Sequence, residues 1–211
     1  MSEAADSATR AVRKERTRQS ILDAALELAD AESLATVSLR QVAKQVGIVP
    51  TAFYRHFASL DELGLALVDQ SFASLREMLR DVRRNASELQ GVITGSVDVL
   101  VQHVHQRREH FRFVARERVG GPPVVRGAIR HELELFEREL ATDLARLPNA
   151  NTWSADDLRI MANLIVTAMV STAESIISAP PQRPDVEREI VRTTVQQLRM
   201  IVVGAQNWKS R

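Results

Sequence analysis

Cysteine is absent from the 211-residue chain, which excludes disulfides, thiol nucleophiles and cysteine-ligated zinc or iron–sulfur centres. Helix breakers are scarce: there are eight glycines and seven prolines, well under the roughly 12 % combined share of ordinary chains. No excess of one charge exists either, with 28 Lys and Arg against 27 Asp and Glu, so a uniformly basic coat is excluded. Residues 1–9 are small, polar and acidic and lack the apolar core of a signal peptide. The longest weakly charged stretch, residues 160–173, contains Asn163 and Thr167. It falls short of the about 20 apolar residues that a bilayer requires. A buried or interface helix is expected there, no membrane partner, and a reduced, cytoplasmic setting. GxGxxG, P-loop, HExxH and GxSxG motifs are all missing, so no cofactor and no enzymatic activity are expected.

What is present points to helices. Hydrophobic residues make up 45 % of the chain and charged residues 26 %, the balance of a folded protein. Pro50, Pro122, Pro123, Pro148, Pro180, Pro181 and Pro184 leave long unbroken stretches whose apolar residues recur at helical spacing. Ile21, Leu22, Ala25, Leu28 and Ala29 form one face of a first helix over 9–32, with Asp23, Glu27 and Asp30 opposite. A second short helix follows Ser38, where Gln41 completes a capping box. A third starts near Val49 or Pro50, since proline costs nothing in a first turn. Ser59 and Glu62 form another capping box and launch a helix to about residue 84. Further helices are expected over 88–106, 109–119, 124–147, 155–179 and 185–208. The fold class is therefore all-α, with about nine helices. Residues 1–59 read as a small head and 60–211 as a larger helical body.

The most specific segment is LRQVAKQVGIVPTAFYRHF, residues 39–57. Two short helices crossing at a sharp angle need a permissive turn residue, and Gly47 supplies it at the ninth position. Ala43, at the fifth, is small enough for close helix crossing, while Val42, Val46, Ile48 and Phe53 supply the buried contacts. An ordinary helical corner without a ligand would show the same periodicity. Local charge separates the two readings. Residues 10–18 carry a net +4, residues 19–32 a net −4, and residues 33–59 a net +3 with no acid at all. Near-neutrality thus conceals a basic arm (Arg10, Arg13, Lys14, Arg16 and Arg18) and a basic recognition segment. Such cations near phosphates release counterions and give salt-dependent affinity.

These residues resemble the head of the TetR family of bacterial transcriptional regulators. The match covers the end of the first helix before Ser38-Leu39-Arg40, the GIVPTAFYRHF segment, and SLDEL at the start of the fourth helix. The resemblance implies a homodimer with a DNA-binding head and a ligand-binding body, bound to double-stranded operator DNA. It also implies that Arg40, Pro50, Thr51 and Arg55 face base edges. Ser38, Ala52 (through its backbone), Tyr54 and His56 would then meet phosphates. Leu60 stands where many relatives carry a lysine. Chemistry permits these roles: Arg40 can pair with guanine O6 and N7, and Tyr54 and His56 carry donors for phosphate oxygens. The Tyr54 ring can alternatively pack on Phe53 or Phe57.

In the body, FRFVARERVG (residues 111–120), RGAIRHELELFEREL (126–140), DELGLALVD (61–69) and LRMIVVGAQNW (198–208) are similar to the FabR and DesT branch of that family. This branch controls unsaturated fatty-acid synthesis, so the resemblance implies a repressor with a hydrophobic effector, a fatty acyl-CoA or acyl carrier protein thioester. Phe111, Phe113, Val114, Arg116, Phe136, Leu164 and Met169 are the candidate lining, although each apolar one can equally be core. Arg112, Arg116 and Arg118 could attract the coenzyme's phosphates, or form ion pairs with their acidic neighbours. Met161, Leu164, Ile165, Ala168, Met169, Thr172, Ala173 and Ile176 share one side of the eighth helix. Val191, Thr194, Val195, Leu198, Ile201, Val202 and Ala205 do so on the ninth. Two copies of this pair can form a four-helix dimer interface; an intrachain core would show the same pattern. His103, His105 and His110 with Glu109 make an incomplete ligand set, so no metal is expected. Two alternatives remain: a regulator sensing another hydrophobic molecule, and an all-helical lipid-binding protein or enzyme without DNA binding.

Overall fold

The computed structural model describes residues 2–84, 89–146 and 153–208. Among the described residues there are nine helices and no strand: α1 (Ser2–Ala31), α2 (Leu39–Val46), α3 (Pro50–Phe53), α4 (Leu60–Arg84), α5 (Leu89–Gln106), α6 (Arg108–Gly120), α7 (Pro123–Leu144), α8 (Ala155–Ser178) and α9 (Pro184–Gln206). The expected all-α class is what is found. Expected helix positions at Glu88 and Leu147 lie outside the described residues.

Helix α1 begins seven residues before the expected start at Thr9. Nothing in residues 2–9 breaks a helix, and Glu3, Ala4 and Ala5 have good helix propensity. Helix α8 also differs from expectation. It runs 24 residues and is long and apolar enough, by length and composition, to cross a membrane. The stretch 160–173 is therefore only the middle of a longer helix, extended by Ile176 and Ile177. Met161, Ala162, Thr172, Ala173 and Ile176 are buried within this chain, and α8 packs on α5 and α9.

The chain forms two compact units. The first comprises Met1–Ser71 and Arg112–Ile129, the second Phe72–Phe111 and Arg130–Arg211. The first unit buries Ile21, Leu22, Ala25 and Ala29 of α1, Val42 and Ala43 of α2, Phe53 and Phe57, Leu63 and Leu67 of α4, and Phe113, Val125 and Ile129. Each such large apolar side chain contributes about 1.5–3 kcal/mol on burial. Packing is tight at Gly64, where a Cβ would stand 2.7 Å from Val125 and 2.9 Å from Leu34.

Helix α6 is bound to the end of α1 by polar contacts. Glu117, fully buried, accepts hydrogen bonds from the Leu34 amide (3.0 Å) and the Ser33 hydroxyl (3.2 Å). Arg112 pairs with Asp30 at 2.7 Å, and Arg116 donates to the Ala29 carbonyl at 3.2 Å. These contacts explain why residues 112–129 belong to the first unit although they are far from it in sequence.

The second unit has two linked apolar clusters. Leu100, Val104, Phe111, Ala173 and Ile176 form one, and Ile93, Val97 and Leu198 the other; Val101 and Met169 pack against both. Phe72 and Phe136 pack ring to ring at 5.5 Å. Between α8 and α9 the buried hydroxyls of Thr172 and Thr194 are 2.7 Å apart, each also bonded to a carbonyl of its own helix. Buried polar atoms are tolerated only when paired in this way.

Candidate nucleic-acid interface

The local chemistry of residues 38–57 builds a helix–turn–helix. Ser38 caps α2 by accepting from the Gln41 amide, while the Gln41 side chain accepts from the Ser38 amide at 2.8 Å. This reciprocal box satisfies two otherwise free donors. Gly47 then turns the chain at φ 74°, a left-handed conformation that costs glycine least. Its amide donates to Lys44 O and that of Ile48 to Ala43 O, closing the helix end as such caps do. Pro50 occupies the first turn of α3. At the next helix, Ser59 Oγ accepts from the Glu62 amide, but the Glu62 carboxylate accepts from Ala58 and not from Ser59.

Side chains divide between core, intermediate and surface positions. Val42, Ala43, Phe53 and Phe57 are buried, while Val46 and Ile48, expected to be buried, are only half so. Arg40, Pro50, Thr51, Tyr54 and Arg55 are exposed, and Ala52 and His56 are partly so. Tyr54 packs edge-on against Phe53 at 5.9 Å, yet remains 60 % exposed. The Phe53 and Phe57 rings pack at 5.8 Å with their planes tilted by 41°, and the Arg18 guanidinium lies 4.8 Å above the Phe57 ring.

Two expected phosphate contacts meet local competition. The Ser38 hydroxyl already donates to Gln41 Oε1 at 2.6 Å, so a phosphate there must displace that bond. The Ala52 amide donates to Val49 O at 2.9 Å, which leaves no free N–H for the expected backbone contact.

His56 has a distinctive environment. Its Nδ1 is buried without a hydrogen-bond partner. Burial pushes its pKa below the ordinary 6.5, helped by Lys14, Arg18 and Arg55 and opposed by Glu15. The unfolded chain therefore takes up this proton at higher pH than the folded one. Stability is fully present above pH 6.5 and declines as pH falls through the folded-state value. Thermal melts across that window should show a shallower acid decline for His56→Gln; parallel curves would refute this origin.

The expected effector residues fall in both units. Phe113, Val114 and Arg116 belong to the first unit, and Phe111, Phe136, Leu164 and Met169 to the second. Arg112 and Arg116 serve the contacts with α1 described above and are not a free phosphate-attracting pair. Leu164 is 49 % exposed. Sequence periodicity missed these assignments because it fixes a helix face but not its neighbour. No group of three or more potential metal ligands occurs among the described residues, and His105 instead contacts Glu187.

A capped helix, a left-handed glycine turn and a second helix with an exposed outer face, in a chain with an all-helical body, define a helix–turn–helix regulator. Comparison with known proteins agrees. Residues 21–67 match the model of bacterial regulatory proteins of the TetR family, and residues 89–204 that of the tetracyclin repressor-like C-terminal domain. The chain belongs to the TetR family. It is a DNA-binding transcriptional regulator with a ligand-binding C-terminal domain, not an enzyme. Regulators of this family bind operator DNA and typically act as dimers with small-molecule effectors.

Solved structures share the fold at low identity. One is a protein of Syntrophomonas wolfei assigned to this family, 11 % identical, with a TM-score of 0.72 over 90 % of this chain and 96 % of that one. A TetR-family transcriptional regulator from Streptomyces coelicolor is 18 % identical, with a TM-score of 0.67 over 89 % and 96 %. The fatty acid degradation regulator FadR from Bacillus halodurans is 12 % identical, with a TM-score of 0.68 over 89 % and 95 %.

Proposed function

We propose that the chain is a cytoplasmic repressor that binds a pseudo-palindromic operator as a homodimer and releases or tightens it in response to a long-chain acyl thioester. The observation that carries the DNA reading is the exposed row Arg40, Pro50, Thr51, Tyr54 and Arg55, set on a rigid turn in a segment free of acids. Arg40 and Arg55 read base edges, with Pro50 and Thr51 against them. Tyr54 and His56 hold phosphates, and Ser38 joins them once Gln41 gives way.

Dimerisation is supported by the outer sides of α8 and α9. Ile160 (60 %), Leu164 (49 %), Met200 (72 %) and Val203 (57 %) are exposed, while the opposite sides pack within the chain. An apolar side of this kind on paired helices suits a two-fold interface. Two copies present two recognition helices to successive turns of DNA.

Support for the acyl effector comes from the resemblance of the body segments to the fatty-acid-responsive branch and from the fold shared with FadR. Phe111, Phe136 and Met169, all in the second unit, are its foremost candidate contacts. Each methylene removed from water contributes about 0.8 kcal/mol. The effector acts only by binding two states of the protein unequally.

Selection of bound genomic DNA, with and without saturated or unsaturated acyl-CoA, tests both halves. An enriched inverted repeat whose occupancy changes with one acyl-CoA is expected. Failure to enrich any sequence would refute operator reading. Identical binding under all three conditions would refute the acyl effector and leave another hydrophobic ligand as the reading. On the selected site, Arg40→Ala should lose about 1–3 kcal/mol of discrimination, whereas Tyr54→Phe should weaken cognate and scrambled duplexes alike.

A further inference from the structure

We propose that Arg18 is a positioning residue of the operator site: from α1 it clamps the turn at residues 54–57, behind α3, and makes no contact with DNA itself. The inference rests on the operator-binding reading above and adds to it a residue that acts only through its neighbours.

The cations of α1 do not share one direction. Arg10, Arg13, Lys14 and Arg16 are exposed, whereas Arg18 is half-buried. Ile21 and Leu22, both buried, stand three and four residues further on, so Arg18 continues the core-facing side of the helix by one turn. On that side its guanidinium lies 4.8 Å from the centre of the Phe57 ring, within the range at which a ring face attracts a cation. Arg13 and Arg16 instead line a groove with Val46 and Ile48. Arg18 is therefore an arm residue by sequence and a core-edge residue by position.

The turn it covers needs such a hold. Helix α3 is four residues long, too short to be stable alone. The chain continues past it as a turn in which the Arg55 amide donates to Ala52 O, and the His56 and Phe57 amides to Phe53 O. Phe57 is buried and packs on Phe53. A cation seated on the Phe57 ring anchors the far end of the element that carries Thr51, Tyr54 and Arg55, while Phe53 anchors its middle.

The same guanidinium acts on His56. A proton on the buried, unpartnered Nδ1 of His56 would be a donor without an acceptor, which is costly. The neutral ring therefore carries its proton on Nε2, where a phosphate oxygen can accept it. A second proton would have to go on Nδ1. Burial, then Lys14 and Arg18, and last Arg55 oppose it by lowering the pKa below 6.5, against the pull of Glu15. Of these three cations Lys14 and Arg55 are exposed and Arg18 alone is half-buried. Its charge is the one fixed in place by a ring, so one side chain both seats the turn and keeps its histidine a neutral donor.

The test uses the full-length protein with Arg18→Met, which keeps the length and apolar stem, and Arg18→Lys, which keeps the cation. Binding to the selected operator duplex is measured by fluorescence anisotropy across a salt series, below the onset of each variant's thermal melt. The His56 titration is followed by NMR in the free protein. Arg18→Met should weaken binding about two- to tenfold per protomer, the range of a single cation–π contact, with the slope of log affinity against log salt unchanged. Its His56 midpoint should move up towards 6.5. Arg18→Lys should restore both the affinity and the midpoint. A slope reduced by about 2 per dimer, as expected for one lost phosphate contact on each protomer, would put Arg18 on the DNA and overturn the proposal. Unchanged affinity or an unmoved His56 midpoint in Arg18→Met would overturn it as well. If the unsubstituted protein binds no DNA, the operator reading itself falls and the positioning role with it.

Discussion

Phe53→Ala is expected to lower folding stability by about 3–5 kcal/mol, the usual cost of emptying a buried aromatic site, and to abolish operator binding. Phe53 is fully buried and packs between the Tyr54 and Phe57 rings. It is also the last residue of a four-residue helix. A helix of that length has no stability of its own, because nucleation outweighs its few hydrogen bonds. Tertiary burial must hold α3, and Phe53 is its only buried residue. Loss of the ring should therefore release the exposed face that carries Pro50, Thr51 and Tyr54. Phe53→Leu, which keeps most of the volume, should cost far less and retain binding. Urea unfolding of the three proteins, followed by a gel shift on one operator, distinguishes them. An alanine variant within about 1 kcal/mol of the parent, outside the range for an emptied core site, would show that α3 is held by something else.

Much of this local architecture is legible without coordinates. The Ser38–Gln41 box, the Gly47 turn and the placement of Pro50 depend on neighbours within a few residues, so short-range stereochemistry declares them. The body helices are bounded by prolines and helical spacing, and their observed ends agree within a few residues. Faces are harder to read. Helix α8 carries apolar residues on several sides, but only packing tells Met161 and Ile176, which are buried, from Ile160 and Leu164, which are exposed. Long-range polar partners are harder still. Nothing in FRFVARERVG says that Arg112 faces Asp30, 82 residues away, or that Arg116 is bound to the end of α1. Charge and resemblance offer Arg116 an effector contact, but only coordinates show that its guanidinium donates to the Ala29 carbonyl. Ser38 and Ala52 illustrate the same limit at short range: residue type offers a phosphate contact, and the hydrogen-bond inventory shows the group already engaged.

Glu117→Ala should cost about 3 kcal/mol and depress the melting temperature by roughly 6–12 °C at this chain length. The side chain is completely buried, and its two oxygens receive the Leu34 amide and the Ser33 hydroxyl. Deletion leaves the Leu34 N–H buried and unpaired, a penalty of about 1–3 kcal/mol, and adds a cavity. The room for this carboxyl group is built in: a Cβ on Gly121 would lie 2.6 Å from Glu117 Oε2. Glu117→Gln keeps an acceptor for Leu34 and should lose less than half as much. The consequence reaches the recognition element through the chain itself. Residues 33 and 34 begin the connection that ends at the Ser38 cap, so freeing them loosens the start of α2 and the exposed Arg40 behind it. Operator affinity should accordingly fall for Glu117→Ala even at temperatures where the variant is fully folded. Amide hydrogen exchange supplies the direct readout, with protection at Leu34 lost in the alanine variant and kept in the glutamine one. Unaltered exchange at Leu34 would remove Glu117 from this role, because the bond that confers protection would then be dispensable.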